Sequence, residues 1–144
     1  MRFLIIMIFA SFLYAETVVE AKSIKMPTLT SQHGKEIKLD NGIWVVAWDK
    51  ESTFIANEYF KNHGMLENTF IIVDTSQVPS GIMKLFVKPS MQKYQHAILL
   101  SFDTAYNRSL PYKEGSLSVL TIKDKTLKSV VFIETSKELK KFFK

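Results

Sequence analysis

The sequence predicts an α/β protein with a central mixed β-sheet and helices on both of its faces. Three apolar, β-rich runs alternate with segments of helical spacing, which is typical of buried strands joined by crossover helices. These runs are 43–48, 69–73 and 97–102. Two further β-rich runs, 117–122 and 128–133, flank a short polar link and predict an antiparallel hairpin. A capping box, Thr135 with Glu138, predicts a closing helix, so the order is β-α-β-α-β, hairpin, helix.

The first strand–helix unit is expected at the centre of the sheet, because Ile43–Trp48 is apolar at nearly every position. Trp44 and Trp48 share one face of this strand by its two-residue period. Ser52 is expected to cap the helix that follows, and Gly64 to end it. Side chains at one-turn spacing are expected to form the buried face of this helix: Phe54, Ile55 and Tyr59.

A second strand–helix unit follows, in which Asp74 closes the strand and Pro79 suits the first turn of the helix. The buried face of this helix is expected to consist of Ile82, Leu85 and Phe86. Pro89 is expected to interrupt the helix or to begin another short one. The third strand ends at Asp103, and an irregular stretch is expected from there to Pro111.

The charge pattern does not favour a nucleic-acid partner. The net charge is +5, and the lysines are scattered without the interleaved aromatic residues of a nucleic-acid-binding face. Lysines gather at the closing helix, where they stabilise the negative end of the helix dipole or, alternatively, meet an acidic partner or an anionic membrane surface. These are Lys137, Lys140, Lys141 and Lys144, and the apolar face of the same helix is Leu139, Phe142 and Phe143.

Residues Met1–Ala15 are typical of an export signal, because Arg2 precedes the apolar run Phe3–Leu13 and a small residue ends the segment. The run is shorter than the roughly twenty residues that a membrane-spanning helix needs. We therefore expect a single domain of residues 16–144 in the periplasm, with no stable membrane span after cleavage. An uncleaved signal that tethers the protein to the membrane is the alternative.

The chain contains no cysteine. This excludes a disulfide framework, thiol catalysis and cysteine-ligated zinc or iron–sulfur clusters. The three histidines, His33, His63 and His96, lie thirty or more residues apart and lack metal-ligand spacing. We expect surface or capping roles for them, and neither a metal nor a cofactor.

The element order and the segment Leu29–Leu39, in which a polar turn ends in Gly-Lys, resemble the thioredoxin-like superfamily. The resemblance is greatest to its exported branch of small peroxiredoxin-like and cytochrome-maturation-type thioredoxins, and it covers about residues 28–143. It implies a thioredoxin-like fold in which Trp44–Trp48 lies in the central strand and Thr135–Phe143 forms the closing helix.

The chain departs from this superfamily where the redox chemistry of its members lies. Redox-active members have a Cys-x-x-Cys turn after the central strand, at a helix N-terminus that stabilises the attacking thiolate. Here that turn is Asp49–Thr53. Members also have a cis proline that faces the turn, whereas this chain has Lys113–Ser116 at that place, and Pro111 corresponds to the proline if the loop is unusually long. Thiol–disulfide exchange is therefore excluded.

The resemblance without the thiols implies a non-redox protein that binds, or helps to assemble, a protein or peptide of the periplasm. We expect an exposed apolar groove at the former redox turn, with Trp48 as a ligand anchor. The candidate binding residues are Trp48, Asp49, Ser52, Gly115 and Ser116. Core packing of Trp48 and capping by Ser52 are the structural alternatives.

A small exported enzyme is the alternative function. Asp74 and Asp103 are its candidate catalytic residues, because both follow predicted strands and the carboxyl ends of parallel strands form the ligand crevices of α/β sheets. Aspartate at such places also caps turns. The chain resembles short exported proteins of Gram-negative bacteria, some of which are called FAD/FMN-containing dehydrogenases. It lacks a Gly-x-Gly-x-x-Gly turn after a strand, so the enzyme would be a hydrolase or a flavin-dependent oxidoreductase that binds its flavin by another route.

Overall fold

One mixed sheet organises the computed structural model, which describes residues 16–144 and the side chains from Lys22 onward. The predicted export signal, Met1–Ala15, lies outside the described residues. The strands are β1 Glu16–Ser23, β2 Thr28–Ser31, β3 Glu36–Lys38, β4 Gly42–Ala47, β5 Thr69–Asp74, β6 Ile98–Ser101, β7 Leu117–Lys123 and β8 Thr126–Ile133. The helices are α1 Lys50–His63, α2 Ser80–Ile82, a π-helical turn Met83–Val87, α3 Lys88–Met91, α4 Thr104–Arg108 and α5 Ser136–Phe143.

The strand order across the sheet is β1-β8-β7-β4-β5-β6-β2-β3. The parallel strands β4, β5 and β6 and the antiparallel hairpin β7–β8 confirm the predicted mixed sheet. The hairpin link is shorter than predicted, because Asp124 and Lys125 have φ of 54° and 57° and form a tight turn. Strand β1 is an addition to the predicted order. It pairs antiparallel with β8, and its register shifts between Val18 and Lys22.

Helices cover both faces of the sheet, as predicted. On one face, α1, the π-helical turn, α3 and α5 pack against alternate residues of the strands. This cluster includes Val45, Ile71, Ile98, Val119, Ala56, Phe60, Met83, Met91 and Leu139. On the other face, α4 and the segment before β2 cover a second cluster. It includes Trp44, Val46, Ile72, Leu99, Leu110, Leu120 and Val130, with Tyr106 packed against them.

Helix α1 ends where predicted but buries a partly different face. Gly64 has φ of 77°, and its N–H donates to the Phe60 carbonyl at 2.8 Å. The buried apolar side chains are Ala56, Tyr59 and Phe60. Phe54 is 61% exposed, so its predicted place in the core is wrong. Phe54 precedes Ala56 by two positions, which is about half a turn of the helix, so the two side chains lie on opposite sides of it.

The segment Ser80–Met91 also presents a different face to the core from the one predicted. The inward side chains are Met83, Val87 and Met91, whereas the predicted set is exposed: Ile82, Leu85 and Phe86. Both sets recur at about one-turn spacing, so the apolar period by itself does not distinguish them. The prediction of the buried face is therefore wrong, and a second apolar face points to solvent.

Pro89 explains the π-helical turn. Proline has no N–H to donate to the Leu85 carbonyl, and its ring crowds that oxygen. The preceding turn is widened, with the Lys88 N–H bonded to the Met83 carbonyl in the i→i+5 pattern of a π-helix. Pro89 thus distorts the helical segment without ending it, since the segment continues to Met91.

A short helix stands where an irregular stretch was expected between Asp103 and Pro111. Asp103 is the N-cap of α4, and its carboxylate accepts the N–H of Tyr106 at 3.1 Å. The helix has five residues, too few for an apolar period to be recognised.

At the other end of the domain, the capping box of Thr135 and Glu138 at α5 is confirmed. Across residues 16–144, the helices all lack the length and apolar character that crossing a bilayer requires.

Candidate functional site

The corner between β4 and α1 is closed by reciprocal hydrogen bonds. Asp49 is the N-cap residue of α1, and its carboxylate accepts the N–H of Ser52 at 2.8 Å. The Ser52 hydroxyl accepts the N–H groups of Trp48 at 3.0 Å and Asp49 at 3.1 Å. Ser52 was predicted to be the N-cap of this helix. It is instead the third helical residue of a capping box whose N-cap is Asp49. Both residues stabilise the helix start because each satisfies backbone N–H groups that have no partner within the helix.

The same two residues are the first and fourth of the turn Asp49–Thr53, the segment that the resemblance equates with the Cys-x-x-Cys turn. Ser52 is 4% exposed, and its hydroxyl also donates to the Asp49 carbonyl at 3.3 Å. A serine acts as a nucleophile when an adjacent base activates it. Within the described part of the chain, the Ser52 hydroxyl has backbone groups as its partners. These contacts give Ser52 a structural role at the start of α1.

Trp48 connects this corner to the loop before β7. Its indole N–H donates to the Ser118 hydroxyl at 2.9 Å, which in turn donates to the Pro111 carbonyl at 2.7 Å. The Tyr112 ring packs edge-on against the Trp48 indole, with ring centroids 5.1 Å apart. Trp48 is half-buried on the same sheet face as Trp44, as the two-residue period predicts, whereas Tyr112 is 58% exposed. An aromatic surface therefore reaches solvent beside the start of α1.

Ser116 lies at the level of Trp48, because the antiparallel register of β4 and β7 pairs Val46 with Ser118. Ser116 is 2% exposed, and among the described residues its hydroxyl oxygen has no hydrogen-bond partner. Gly115 precedes it with φ of 79°, a conformation that favours glycine. The structure thus brings the candidate residues Trp48, Asp49, Ser52, Gly115 and Ser116 to neighbouring parts of one sheet edge.

Asp74, a candidate for catalysis, is held in a network of uncharged donors. Its carboxylate accepts the Ser76 N–H at 2.9 Å, the Ser76 hydroxyl at 2.6 Å and the Asn107 amide at 2.7 Å. Asn107 is buried, and its amide nitrogen also donates to the Ser101 carbonyl at 3.1 Å. These contacts tie the turn after β5 to α4, which is the turn-capping role expected of an aspartate at a strand end.

Asp103, the other candidate, lies at the wall of a cavity of about 950 Å³ between the segment 22–30 and α4. Its carboxylate caps α4. Tyr106 also lines the cavity, and its hydroxyl donates to the Lys25 carbonyl at 2.9 Å. Burial raises the pKa of the Tyr106 hydroxyl, so this group holds its proton at neutral pH. Each candidate aspartate therefore has a capping contact, and a catalytic role for either stays a prediction.

The histidines lie in separate places. Each ring has a hydrogen-bonding contact of its own. The pairs are His33 with the Tyr94 carbonyl, His63 with the Tyr59 carbonyl, and His96 with the Asn57 side chain. In the part of the chain that the structure describes, histidines and acidic residues form no cluster of three or more that could hold a metal ion.

His96 is expected to make the fold less stable in acid. Burial lowers the pKa of its imidazole below the ordinary 6.5, so the unfolded chain binds this proton more readily than the folded chain. The stability contribution is complete above the unfolded pKa and is lost as the pH falls through the lowered folded pKa. Urea unfolding from about pH 8 to about pH 5 should show a smaller acid loss for His96→Gln than for wild type. His33→Gln, at an exposed ring, is the control, and equal acid losses for wild type and His96→Gln would contradict the prediction.

Comparison with known proteins shows the fold. No protein-family model and no curated protein matches the chain. Among solved structures, StoA from Bacillus subtilis is 12% identical with a TM-score of 0.56, covering 83% of this chain and 97% of that one. A thiol-disulfide oxidoreductase from Bacteroides fragilis is 11% identical with a TM-score of 0.54, covering 84% and 99%. A DsbF homologue from Corynebacterium diphtheriae is 15% identical with a TM-score of 0.52, covering 91% and 92%.

The chain therefore has a thioredoxin-like fold, similar to that of thiol-disulfide oxidoreductases, and no cysteine. The turn Asp49–Thr53, which the resemblance equates with the Cys-x-x-Cys turn, begins helix α1. Across residues 16–144 no peptide bond is cis, so Pro111 is not a cis proline.

Proposed function

We propose that this protein binds extended polypeptide segments in the periplasm, without redox chemistry, at the surface formed by Trp48 and Tyr112. We call this surface the aromatic corner. The Trp48–Tyr112 pair carries the proposal, because its rings contact each other while Tyr112 is largely exposed. Aromatic rings held in this way offer a large apolar contact area at a small cost in side-chain entropy, and they dominate the binding energy of many interfaces.

The Ser116 hydroxyl is buried next to the aromatic corner, and its oxygen is closed to solvent. A buried polar group without a partner costs about 1–3 kcal/mol. We therefore expect Ser116 to affect the stability of the fold and not the binding, because a ligand on the surface does not reach this oxygen. Ser116 also lies at the place that the resemblance gives to the cis proline, beside the turn that faces the substrate in redox-active members.

Charge does not restrict the ligand strongly. The exposed side chains next to the aromatic corner in sequence have both signs: Asp49, Lys50, Lys113 and Glu114. A site that binds mainly through apolar contact accepts segments of varied sequence. This fits a protein that assists the assembly of unfolded clients. The periplasmic location depends on the predicted export signal.

Two substitutions test the proposal. Tyr112→Ala removes the exposed ring and should weaken binding of reduced, carboxymethylated α-lactalbumin, a permanently unfolded probe, about tenfold. Ser116→Ala should leave the same binding unchanged and the free energy of unfolding equal or higher, because it removes an unpaired buried hydroxyl that the probe does not reach. Fluorescence anisotropy of the labelled probe measures the affinity, and urea unfolding measures the stability.

Leu66→Ala is the matched control, since Leu66 is another exposed apolar side chain, 54% exposed, in the loop after α1 at the opposite edge of the sheet. It should leave the affinity unchanged. The proposal is overturned if wild type does not bind the probe, or if Tyr112→Ala binds it as tightly as wild type does.

A further inference from the structure

The helical segment Ser80–Met91 has two apolar faces, and the sheet covers one of them. The uncovered face consists of Ile82, Leu85 and Phe86, which are 45%, 68% and 64% exposed. These three side chains lie within five consecutive helical positions and form a contiguous stripe. We call this stripe the outer stripe. A stripe of large exposed side chains on a single helix differs from the isolated exposed residues of an ordinary surface, and it marks a contact with something apolar.

The charged residues on the helical segment itself are of one sign. Lys84 and Lys88 are one turn apart on the same helical segment, and Lys93 follows it. Between Asp74 and Asp103 the sequence has no aspartate or glutamate. An amphipathic helix with large apolar side chains, flanking lysines and no acidic residue is the pattern of helices that lie in the headgroup region of a membrane.

We propose that the outer stripe docks this protein on the surface of an anionic lipid bilayer. In this arrangement Leu85 and Phe86 enter the boundary between headgroups and acyl chains, while the lysine ammonium groups meet lipid phosphates. The strands stay outside the bilayer, because their apolar residues are already covered by the two clusters of the core. The proposal is independent of the aromatic corner, which is built from other elements of the fold.

The charge pattern favours a lipid surface over a second copy of the chain. Two copies that paired through the outer stripe about a two-fold axis would each present the same patch to the other. Lys84 and Lys88 of one copy would then approach the equivalent lysines of its partner without an acidic residue on the segment to pair with them. Anionic headgroups instead complement both the apolar and the basic part of the patch.

The absence of native cysteine allows a positional test in the full chain. Leu85→Cys, labelled with an environment-sensitive fluorophore, should show a blue shift of emission on addition of vesicles of phosphatidylethanolamine and phosphatidylglycerol. Phosphatidylcholine vesicles should give little shift. The control position is Lys128→Cys, on an exposed site of β8, which should not respond to either vesicle. Reading the environment at one position separates docking of the outer stripe from any binding by the apolar run 3–13.

Second substitutions in the labelled Leu85→Cys protein test the two parts of the patch. Lys84→Glu with Lys88→Glu should raise the lipid concentration for half-maximal shift at least about tenfold, since each lysine near an anionic surface contributes roughly a fivefold gain. The control Lys140→Glu with Lys141→Glu, on α5, has the same charge change and should leave this lipid concentration nearly unchanged.

The apolar part of the patch is tested by Phe86→Ser, which should also raise the lipid concentration for half-maximal shift about tenfold. Phe54→Ser, which changes an equally exposed phenylalanine on α1, should not raise it.

Three results would overturn the proposal. The first is an equal shift with phosphatidylcholine, and the second is an equal effect of the control substitutions. The third is a shift without lipid that grows with protein concentration and disappears in Phe86→Ser, which would assign the outer stripe to contact between copies. Binding at the aromatic corner is measured separately with the unfolded probe, so failure of one proposal leaves the other intact.

Discussion

Trp44→Ala is expected to lower the free energy of unfolding by about 3–5 kcal/mol, the largest loss that we expect from a single substitution. Trp44 is fully buried in the middle of the sheet, and its indole N–H donates to the Asp40 carbonyl at 2.8 Å. Alanine would leave a cavity between β4 and the segment that covers it, and the Asp40 carbonyl would lose its partner. Urea unfolding monitored by circular dichroism measures the loss.

Trp44→Phe separates the two contributions. Phenylalanine keeps much of the ring volume but cannot donate to Asp40, so its loss should be clearly smaller than that of alanine. A loss below about 1 kcal/mol for Trp44→Ala would contradict the burial of this side chain at the centre of the fold.

Gln32→Ala is expected to cost about 3 kcal/mol, because it removes a fully buried amide that fastens the β2–β3 turn to the start of β6. The Gln32 amide nitrogen donates to the His96 carbonyl at 2.8 Å, and its oxygen accepts the Ile98 N–H at 2.7 Å. Alanine would leave both backbone groups buried without these partners. We therefore expect a lower free energy of unfolding and faster hydrogen exchange at the Ile98 amide.

Lys35→Ala, an exposed change in the same turn, is the control and should stay within about 0.5 kcal/mol of wild type. If Gln32→Ala were as stable as this control, with unchanged exchange at Ile98, the amide would not be the fastening group.

Strong local patterns made most of the fold predictable. The runs Ile43–Trp48 and Thr69–Val73 are apolar at nearly every position, as central parallel strands require. The capping box at Thr135 has a fixed three-residue spacing that identifies the closing helix. These signals lie within a few residues of one another, so a single sequence is enough to recognise them.

Other features depend on contacts between distant parts of the chain. The helical segment Ser80–Met91 has two apolar stripes, and which of them is buried depends on how the segment crosses the sheet. Gln32 is buried where its side-chain oxygen accepts the N–H of Ile98, a residue far along the chain. Helix α4 is too short to show a period, and the pairing of β1 with β8 joins opposite ends of the domain.

The candidate site was partly predictable. Trp48 and Ser52 follow from their position at the end of the central strand, although Asp49 takes the capping role expected of Ser52. Tyr112 was missed, because a single aromatic residue in an irregular loop has no periodic signal. The unpaired state of the Ser116 hydroxyl becomes apparent when its surroundings are known.

The hydrogen bonds between Asp49 and Ser52 determine how the corner between β4 and α1 responds to reductants and oxidants. A pair of cysteines at such a turn changes between dithiol and disulfide, and with it the local structure, when reductants or oxidants reach it. The Asp49 carboxylate accepts the Ser52 N–H and the Ser52 hydroxyl accepts the Asp49 N–H, and glutathione and oxidants do not alter these hydrogen bonds. Because the chain has no cysteine, the proposed binding surface beside them cannot form a mixed disulfide with a cysteine of a bound polypeptide.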